Sequence, residues 1–328
     1  MSELLDFCLS YVVEQKGSDV HIVEGYPPYA RIKGDLVKIP FRYPVVDRSM
    51  IETAVRKILK TEGAISRLYE RDEIDLTYEH KGERFRVNVA IAQGKIFLAI
   101  RYLEETIPPP HELGVPKEFT DVIIKHSYGV AFLVGPTGSG KSTTLVSCIS
   151  YMLSKVARRV VTIEDPVEYM ITPGKGIVTQ REVGRDTKAF SSALRAAMRE
   201  DPDVILVGEV RDTETALNCL SAAETGHLVV TTLHTGRAHT AINRFVGMFP
   251  PQEQNLVRQR LAESILAVLA HRLVPDPKGY RGRRLVTEFL DCRTQEIKEM
   301  ILEKQMHQIE LAMKCGKAGW CFPEDVVC

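Results

Sequence analysis

A short run near the middle of the chain has the residue types and spacing of a loop that binds phosphate. The run GPTGSGKS, residues 135–142, lies between an apolar segment and a helical segment. Its glycines let the backbone curl so that N–H groups and the N-terminus of the next helix face an anion. Lys141 would then reach the β- and γ-phosphates of ATP, and Ser142 would hold Mg²⁺. The residues predicted to bind the nucleotide are Gly135, Pro136, Thr137, Gly138, Ser139, Gly140, Lys141, Ser142 and Thr143.

Two glutamates follow apolar segments that have the character of strands. Glu209 comes after residues 204–207 in DPDVILVGEVRD, and Glu164 comes after residues 160–163 in VVTIEDPVEY. The carboxyl ends of parallel strands gather at one edge of a sheet, so both side chains are expected near the phosphates. Glu209, where an aspartate is usual, would polarise the attacking water or bind Mg²⁺, directly or through a water. For Glu164, a solvated turn or a helix cap before Pro166 stays an alternative.

Two histidines bracket a third apolar segment, in TGHLVVTTLHT at residues 225–235. By the same strand-end argument His234 lies beside the phosphates, where it would donate to a terminal phosphate oxygen and lose that partner after hydrolysis. His227 lies at the other end, about 20 Å away along the strand. The two rings therefore do not converge on a metal. A role in the core is an alternative for both, and contact with a neighbouring subunit is another for His227.

The elements that must position these residues fall into two predicted domains. Residues 1–103 alternate helical and strand patterns and predict a small α+β domain. Residues 104–116 contain three consecutive prolines and predict a linker, because proline neither continues a helix nor donates within a sheet. Residues 117–290 predict an α/β domain with a parallel sheet covered by helices on both faces. Residues 291–328 predict a helical C-terminal segment.

Within the larger domain, apolar strands alternate with helical segments. The predicted strands are residues 130–134, 159–163, 204–207 and 228–233, and the predicted helices are residues 141–154, 187–199 and 212–224. From about residue 251 onward the pattern is interpreted as helical, with the segments QEQNLVRQRLAESILAVLAHRLV and TQEIKEMILEKQMHQIELAMKCG.

Composition limits the classes of protein to be considered. The chain has 328 residues, and its 43 lysines and arginines equal its 43 aspartates and glutamates, so no basic field favours nucleic acid. No apolar run approaches the roughly 18 to 20 residues that span a bilayer, and no signal peptide is evident. A cytoplasmic protein is expected. The seven cysteines are expected to be reduced thiols, and Cys315, Cys321 and Cys328 lack the short spacing of a zinc site.

Taken in order, four segments of the chain resemble the secretion ATPases of the P-loop superfamily, most closely the PilT group of pilus-retraction ATPases. GPTGSGKSTT resembles the Walker A motif of that family, TIEDPVEY its Asp box, REDPDVILVGEVRD its Walker B motif and AAETGHLVVTTLHT its His box. GSDVHI, PPYARIKGDL and RFRVN resemble its N-terminal PAS-like domain.

The resemblance implies a PAS-like domain joined to a RecA-like P-loop ATPase domain with a helical C-terminal part. It also implies a homo-hexameric ring, with ATP between the domains. In that family Glu209 corresponds to the Walker B glutamate, Glu164 to the acid that acts on water, and His227 and His234 to the His-box pair. Arg86 and Arg101 resemble arginines that approach the nucleotide phosphates, and ordinary strand-surface arginines are the alternative.

The function implied is a hexameric motor that hydrolyses ATP to drive type IV pilus retraction, and hence twitching motility. It would act at the cytoplasmic face of the inner membrane, through a platform protein. A motor for type IV secretion or conjugation is the alternative, because residues 296–305 read EIKEMILEKQ where the PilT group carries AIRNLIREGK. A module that binds nucleotide without hydrolysis and a nucleic-acid helicase are the other classes. The catalytic acids disfavour the first, and the neutral charge disfavours the second.

Overall fold

The structure, a computed structural model, describes residues 3–32, 34–60, 66, 68–70, 73–103, 107–276 and 278–323. The chain divides into two compact units, Met1–Thr106 and Ile107–Cys328. Residues 104–106 of the predicted linker and residues 324–328 of the predicted C-terminal segment, with Cys328, lie outside the described residues. Within those ranges, no helix combines the length and the apolar character that crossing a bilayer requires.

The first unit is an antiparallel sheet with helices packed on it. Its elements are α1 Glu3–Glu14, β1 Asp19–Val23, β2 Tyr29–Ile32, β3 Asp35–Lys38, α2 Arg48–Leu59, β4 Glu73–His80, β5 Glu83–Ala92 and β6 Lys95–Leu103. The strand order is β3-β2-β1-β6-β5-β4, and every pairing is antiparallel. Apolar residues of α1 and α2 form one core with alternate residues of the strands, which explains the period-2 pattern of β1 and β5.

The second unit is an α/β layer structure. Its strands are β7 Gly129–Val134, β8 Arg159–Glu164, β9 Ile177–Glu182, β10 Val204–Val207, β11 Leu228–Leu233, β12 Ile265–Pro275, β13 Arg283–Asp291 and β14 Gly319–Trp320. Its helices are α3 Pro110–Leu113, α4 Lys117–Lys125, α5 Lys141–Lys155, α6 Phe190–Ala197, α7 Thr213–Glu224, α8 Ala238–Val246, α9 Gln254–Ser264, α10 Gln295–Leu302 and α11 Met306–Lys314. A short 3-10 turn, Tyr280–Gly282, precedes β13.

The strand order of this sheet is β14-β13-β12-β7-β11-β10-β8-β9. The six strands from β12 to β9 are parallel, and β13 and β14 add antiparallel pairings at one edge. One apolar core lies between the sheet and α6 to α11, and a second lies between the other face and α4 and α5. The predicted α/β class is confirmed. The parallel arrangement places the carboxyl ends of β7, β8, β10 and β11 at the same edge.

The prediction that the chain is helical from residue 251 onward is wrong for three segments, which form the strands β12, β13 and β14. Helix α9 ends at Ser264, and Ile265 begins β12, which pairs with β7 on one side and β13 on the other. β12 is buried on both faces over most of its length, so ILAVLA shows no alternation that would mark a strand. Periodicity alone does not separate such a short apolar run from a buried helix. The pairing partners, distant in sequence, decide the conformation.

Candidate active site

The phosphate loop joins the buried strand β7 to the N-terminus of α5. Gly138 and Gly140 adopt φ angles of 75° and 89°, which side chains disfavour, and Gly140 caps the helix that begins at Lys141. The side chain of Lys141 folds back on the loop, where its Nζ donates to the carbonyls of Gly135 at 2.9 Å and Pro136 at 3.0 Å. The loop therefore holds a cation within a curl of backbone at the start of a helix.

The charge of Lys141 is influenced by burial and by carboxylates. Burial lowers the pKa of Lys141, and the negative charges of Glu209 and Glu168 act in the opposite direction. The carboxylate of Glu209, two residues beyond the end of β10, therefore favours the charged form of the lysine. A polyphosphate that enters the loop would place negative charge beside this ammonium group. Because the ammonium is partly desolvated, its attraction to the phosphates is stronger than it would be in water.

Glu209 and His234 meet at the carboxyl edge of the sheet. Val207 at the end of β10 pairs in parallel with Thr231 of β11, and this register brings the segments after both strands together. Nε2 of His234 lies 3.3 Å from Oε2 of Glu209, and Nε of Arg211 lies 2.6 Å from the same oxygen. The Glu209 side chain is 12% exposed, which leaves a largely buried carboxylate with a small opening.

Glu164 is the last residue of β8 and is held by its neighbours. It is buried and accepts hydrogen bonds from Oγ1 of Thr162 at 2.5 Å and from Nε2 of Gln180 at 3.1 Å. The N–H of Gly208 donates to the carbonyl of Ile163, so the segments that carry Glu164 and Glu209 run side by side. Glu164 therefore has a fixed orientation on the next strand beyond Glu209.

A cavity of about 430 Å³ opens beside the phosphate loop. Its lining combines the phosphate loop, the segment that follows β11, strand β12 and Phe322. The lining residues are Pro136, Thr137, His234, Thr235, Gly236, His271, Arg272 and Phe322. No sequence motif identifies His271, Arg272 or Phe322, because residues 271 and 272 lie in a segment with a helical pattern and Phe322 belongs to none of the recognised motifs.

The backbone of His271 packs directly against the phosphate loop. A Cβ on Gly135 would lie 2.4 Å from the His271 carbonyl and 2.7 Å from Oγ of Ser139, so glycine is needed for this close approach. The His271 side chain is 1% exposed. Burial, and then the charge of Lys141, lowers its pKa to about 3. His271 is therefore a neutral residue packed under the loop. Its place follows from the pairing of β12 with β7, for which the local sequence offers no signal.

His227 lies at the opposite end of β11 from His234. Its Nδ1 is 3.1 Å from the carbonyl of Ala222 at the end of α7. Six residues of extended strand separate the two histidines, so the fold of this chain does not bring His227 to the phosphate loop. The catalytic role that the resemblance implies for His227 stays a prediction.

Arg86 and Arg101 belong to the first unit, where they face each other across β5 and β6. Arg86 is paired with Asp75, with Nη2 and Oδ2 2.5 Å apart, and Nε of Arg101 donates to Asp19 at 3.0 Å. These aspartates offset the repulsion between two like charges on one face of the sheet. Their approach to the nucleotide phosphates stays a prediction from the resemblance.

The donor groups of the second unit fit a nucleotide phosphate and a hard cation. Among the described residues, Ser139 Oγ in the phosphate loop is a buried polar atom without a hydrogen-bonding partner. Ser142 and Thr143 lie in the first turn of α5, and Oγ1 of Thr143 donates to the hydroxyl of Tyr169 at 3.3 Å. Hydroxyl and carboxylate oxygens of the kind carried by Ser142 and Glu209 suit Mg²⁺. No cluster of three or more acidic, histidine or cysteine side chains that would hold a metal occurs in the described ranges.

Known proteins are similar to this chain over nearly its whole length. The type IV pilus retraction ATPase PilT of Pseudomonas aeruginosa is 37% identical over 309 residues, which cover 94% of this chain and 88% of that protein. The crystal structure of the pilus retraction motor PilT with bound ADP matches with a TM-score of 0.87 at 37% identity, covering 99% of this chain and 96% of that one.

A second solved structure and a family model agree with this likeness. The ATPase DotB of Legionella pneumophila matches with a TM-score of 0.81 at 30% identity, covering 94% of this chain and 85% of that one. The family described as type II/IV secretion system protein matches residues 1–319. The chain therefore belongs to the type II/IV secretion system protein family.

Proposed function

We propose that this protein is an ATPase motor that hydrolyses ATP to drive type IV pilus retraction. The observation that carries the proposal is the convergence of the phosphate loop, Glu209 and His234 at one edge of the parallel sheet. A relative named as a pilus retraction ATPase is 37% identical over 94% of this chain. Because a protein that only binds nucleotide needs no acid directed at water, this convergence favours hydrolysis over binding alone.

The phosphate loop supplies the binding half of the proposed mechanism. Backbone N–H groups between Gly135 and Lys141, together with the N-terminus of α5, face the phosphates and favour negative charge there. The buried hydroxyl of Ser139 gains a partner among the phosphate oxygens. Lys141 exchanges its two carbonyl acceptors in the loop for the β- and γ-phosphates, which form stronger, charge-assisted hydrogen bonds.

The acidic and histidine residues supply the catalytic half. Glu209 accepts a proton from, or orients, the water that attacks the γ-phosphate. His234, at 3.3 Å from Glu209, donates to a terminal phosphate oxygen and signals its departure. Glu164, whose side chain is fixed by hydrogen bonds from Thr162 and Gln180, helps to orient the same attacking water. Ser142, and Glu209 through a water, would hold Mg²⁺, which when bound would neutralise charge on the phosphate oxygens.

The assembly proposed is a homo-hexamer at the cytoplasmic face of the inner membrane. Arg86 and Arg101 deliver positive charge from another domain to the phosphates, which would couple hydrolysis to domain closure. The force passes to a membrane platform protein. Residues 104–116 act as the linker between residues 1–103 and the ATPase domain, residues 117–290, and residues 291–328 form a C-terminal extension of that domain.

A type IV secretion or conjugation motor is the second candidate. Residues 296–305 depart from the signature of the PilT retraction group, although α10 keeps the apolar spacing, with Ile297 and Ile301 buried. The exposed residues of this helix would contact a partner protein. A different sequence there favours a different partner, such as a component of a secretion or conjugation system. The ATPase chemistry is the same for both candidates.

The proposal is tested in a deletion strain complemented with wild type, Lys141→Ala or Lys125→Ala. Lys125 is an exposed lysine paired with Asp121 and serves as the matched control. Excess surface pili without twitching in the deletion strain, corrected by wild type and Lys125→Ala but not by Lys141→Ala, would support a retraction motor. Normal pili and movement in the deletion strain would contradict it and direct attention to secreted cargo. ATP turnover by the purified proteins tests the enzymatic part separately.

A further inference from the structure

The C-terminal segment, defined as residues 319–322, is anchored to the sheet by backbone and ring contacts. Gly319 and Trp320 form β14, which pairs with Leu290 and Phe289 of β13. A Cβ on Gly319 would lie 1.9 Å from the carbonyl of Phe289, so only glycine permits this pairing. The ring of Trp320 lies 5.0 Å from that of Phe289. This anchor directs the following residues toward the carboxyl edge of the sheet.

Phe322 reaches the cavity beside the phosphate loop. Its side chain is 2% exposed, and it shares the lining of that cavity with Pro136 and Thr137. The guanidinium carbon of Arg272 lies 4.3 Å from the Phe322 ring centroid, and that of Arg237 lies 5.7 Å away. Both distances are within the range of a cation–π interaction. One aromatic ring from the end of the chain therefore contacts two cations near the phosphate loop.

The two arginines are held differently. Nη1 of Arg237 lies 3.1 Å from Oε2 of Glu288, a fully buried carboxylate that also accepts from the N–H of Ala238. Arg237 is thus committed to β13 and the start of α8. Arg272 lies closer to the ring and lines the cavity together with Pro136 and Thr137 of the phosphate loop. Its guanidinium therefore lies in the same cavity lining as the loop that is proposed to hold the nucleotide phosphates.

We propose that Phe322 is a positioning residue of the nucleotide site, whose ring holds the Arg272 guanidinium at the cavity wall beside the phosphate loop. This inference rests on the proposed ATPase function. Through this contact the C-terminal segment sets how well the site distinguishes ATP from ADP, because a cation near the terminal phosphate matters more for the triphosphate. Movement of the segment would remove the ring contact from Arg272 and weaken that distinction, which gives a means of control through residues 319–322.

The test separates the ring face of Phe322 from its bulk. Phe322→Leu fills most of the same space but offers no π face, whereas Phe322→Tyr keeps the face. Phe249→Leu is the matched control, because it makes the same change at another buried phenylalanine of the second unit, which does not line the cavity. The full-length proteins are compared for kcat and KM with ATP, and for the affinities of ATP and ADP by displacement of a fluorescent nucleotide.

We expect Phe322→Leu to lower kcat/KM for ATP and the ratio of ATP to ADP affinity by about three- to tenfold, with ADP affinity nearly unchanged. Phe322→Tyr and Phe249→Leu should retain the wild-type ratio. In an Arg272→Gln background, Phe322→Leu should cause no further loss. Wild-type behaviour of Phe322→Leu, or an equal loss of ATP and ADP affinity in both Leu variants, would overturn the proposal.

The two proposals fail in different ways. A wild-type protein that binds ATP but does not hydrolyse it would contradict the proposed function, while the affinity ratios of the Phe322 variants would still decide the role of the ring. A wild-type protein that binds neither nucleotide would contradict both.

Discussion

Nε2 of His234 lies 3.3 Å from Oε2 of Glu209, and this contact joins the segments that follow two neighbouring parallel strands. The pairing of Val207 with Thr231 sets the register of those strands, and the contact follows from it. A residue proposed to act on water and a residue proposed to sense the terminal phosphate are thus in direct contact. Loss of the phosphate can therefore change the environment of the carboxylate through a single histidine ring.

Glu209→Gln should abolish most turnover while leaving nucleotide binding intact. The amide has nearly the same size but cannot accept a proton, so kcat is expected to fall by about 100-fold or more. Glu214→Gln, at an exposed glutamate paired with Arg195, is the matched control and should behave as wild type. ATP turnover and equilibrium binding of ATP are the measurements. Equal turnover by Glu209→Gln and wild type would indicate a protein that binds nucleotide without hydrolysing it.

His234→Ala should lower kcat on the order of tenfold, because one hydrogen bond to the reacting phosphate is lost. His227→Ala should have a smaller effect if the site is built within one chain, since His227 lies at the far end of β11. Steady-state ATPase assays of both variants give the comparison. A comparable loss in His227→Ala that appears only in the assembled oligomer would place His227 at a site on the neighbouring subunit.

Gly135→Ala should destabilise the second unit. The added Cβ would lie 2.4 Å from the His271 carbonyl, so β12 or the phosphate loop must shift, at a cost of about 1 to 3 kcal/mol in the free energy of unfolding. Gly236→Ala is a suitable control, because a Cβ there would meet no atom within 4 Å. Denaturant unfolding without nucleotide measures the difference. Equal stability of the two variants would show that the loop yields without strain.

His271 should make the stability of the protein depend on pH below neutrality. Its folded-state pKa of about 3 lies below the ordinary value of 6.5, so the unfolded chain binds the proton more readily. The stabilisation is fully present above about pH 6.5 and is lost progressively as the pH falls toward 3. His271→Gln, which does not titrate, should lose about 1 kcal/mol less than wild type between about pH 7.5 and about pH 5.5. Parallel losses in the two proteins would contradict this role of His271.

The phosphate loop could be predicted from sequence because its chemistry is local. Glycines at the positions that need positive φ, a lysine and a serine at the start of a helix, and an apolar strand before them lie within one short segment. The same holds for Glu209 and His234. His234 directly follows the buried strand β11, and Glu209 lies two residues beyond the end of the buried strand β10. Parallel strands align their carboxyl ends, so the expectation that these side chains meet needed only the order of the strands.

His271, Arg272 and Phe322 could not be placed in this way. Residues 265–275 are apolar on both faces, and the choice between helix and strand depends on their pairing with β7, more than 130 residues earlier in the chain. Phe322 reaches the cavity only because Gly319 and Trp320 pair with β13. The local amino-acid sequence does not indicate which distant segment a strand will pair with.

The sequence by itself thus determined the phosphate loop, the acidic and histidine residues at the strand ends, and the two-unit α/β plan. In each case the determining interactions lie within one turn, one helix start or one strand. The tertiary structure alone decided that β12 is a strand beneath the loop and that the C-terminal segment lines the cavity. Those features depend on hydrogen bonds and packing between segments distant in sequence, whose free energy exists only once the sheet has formed.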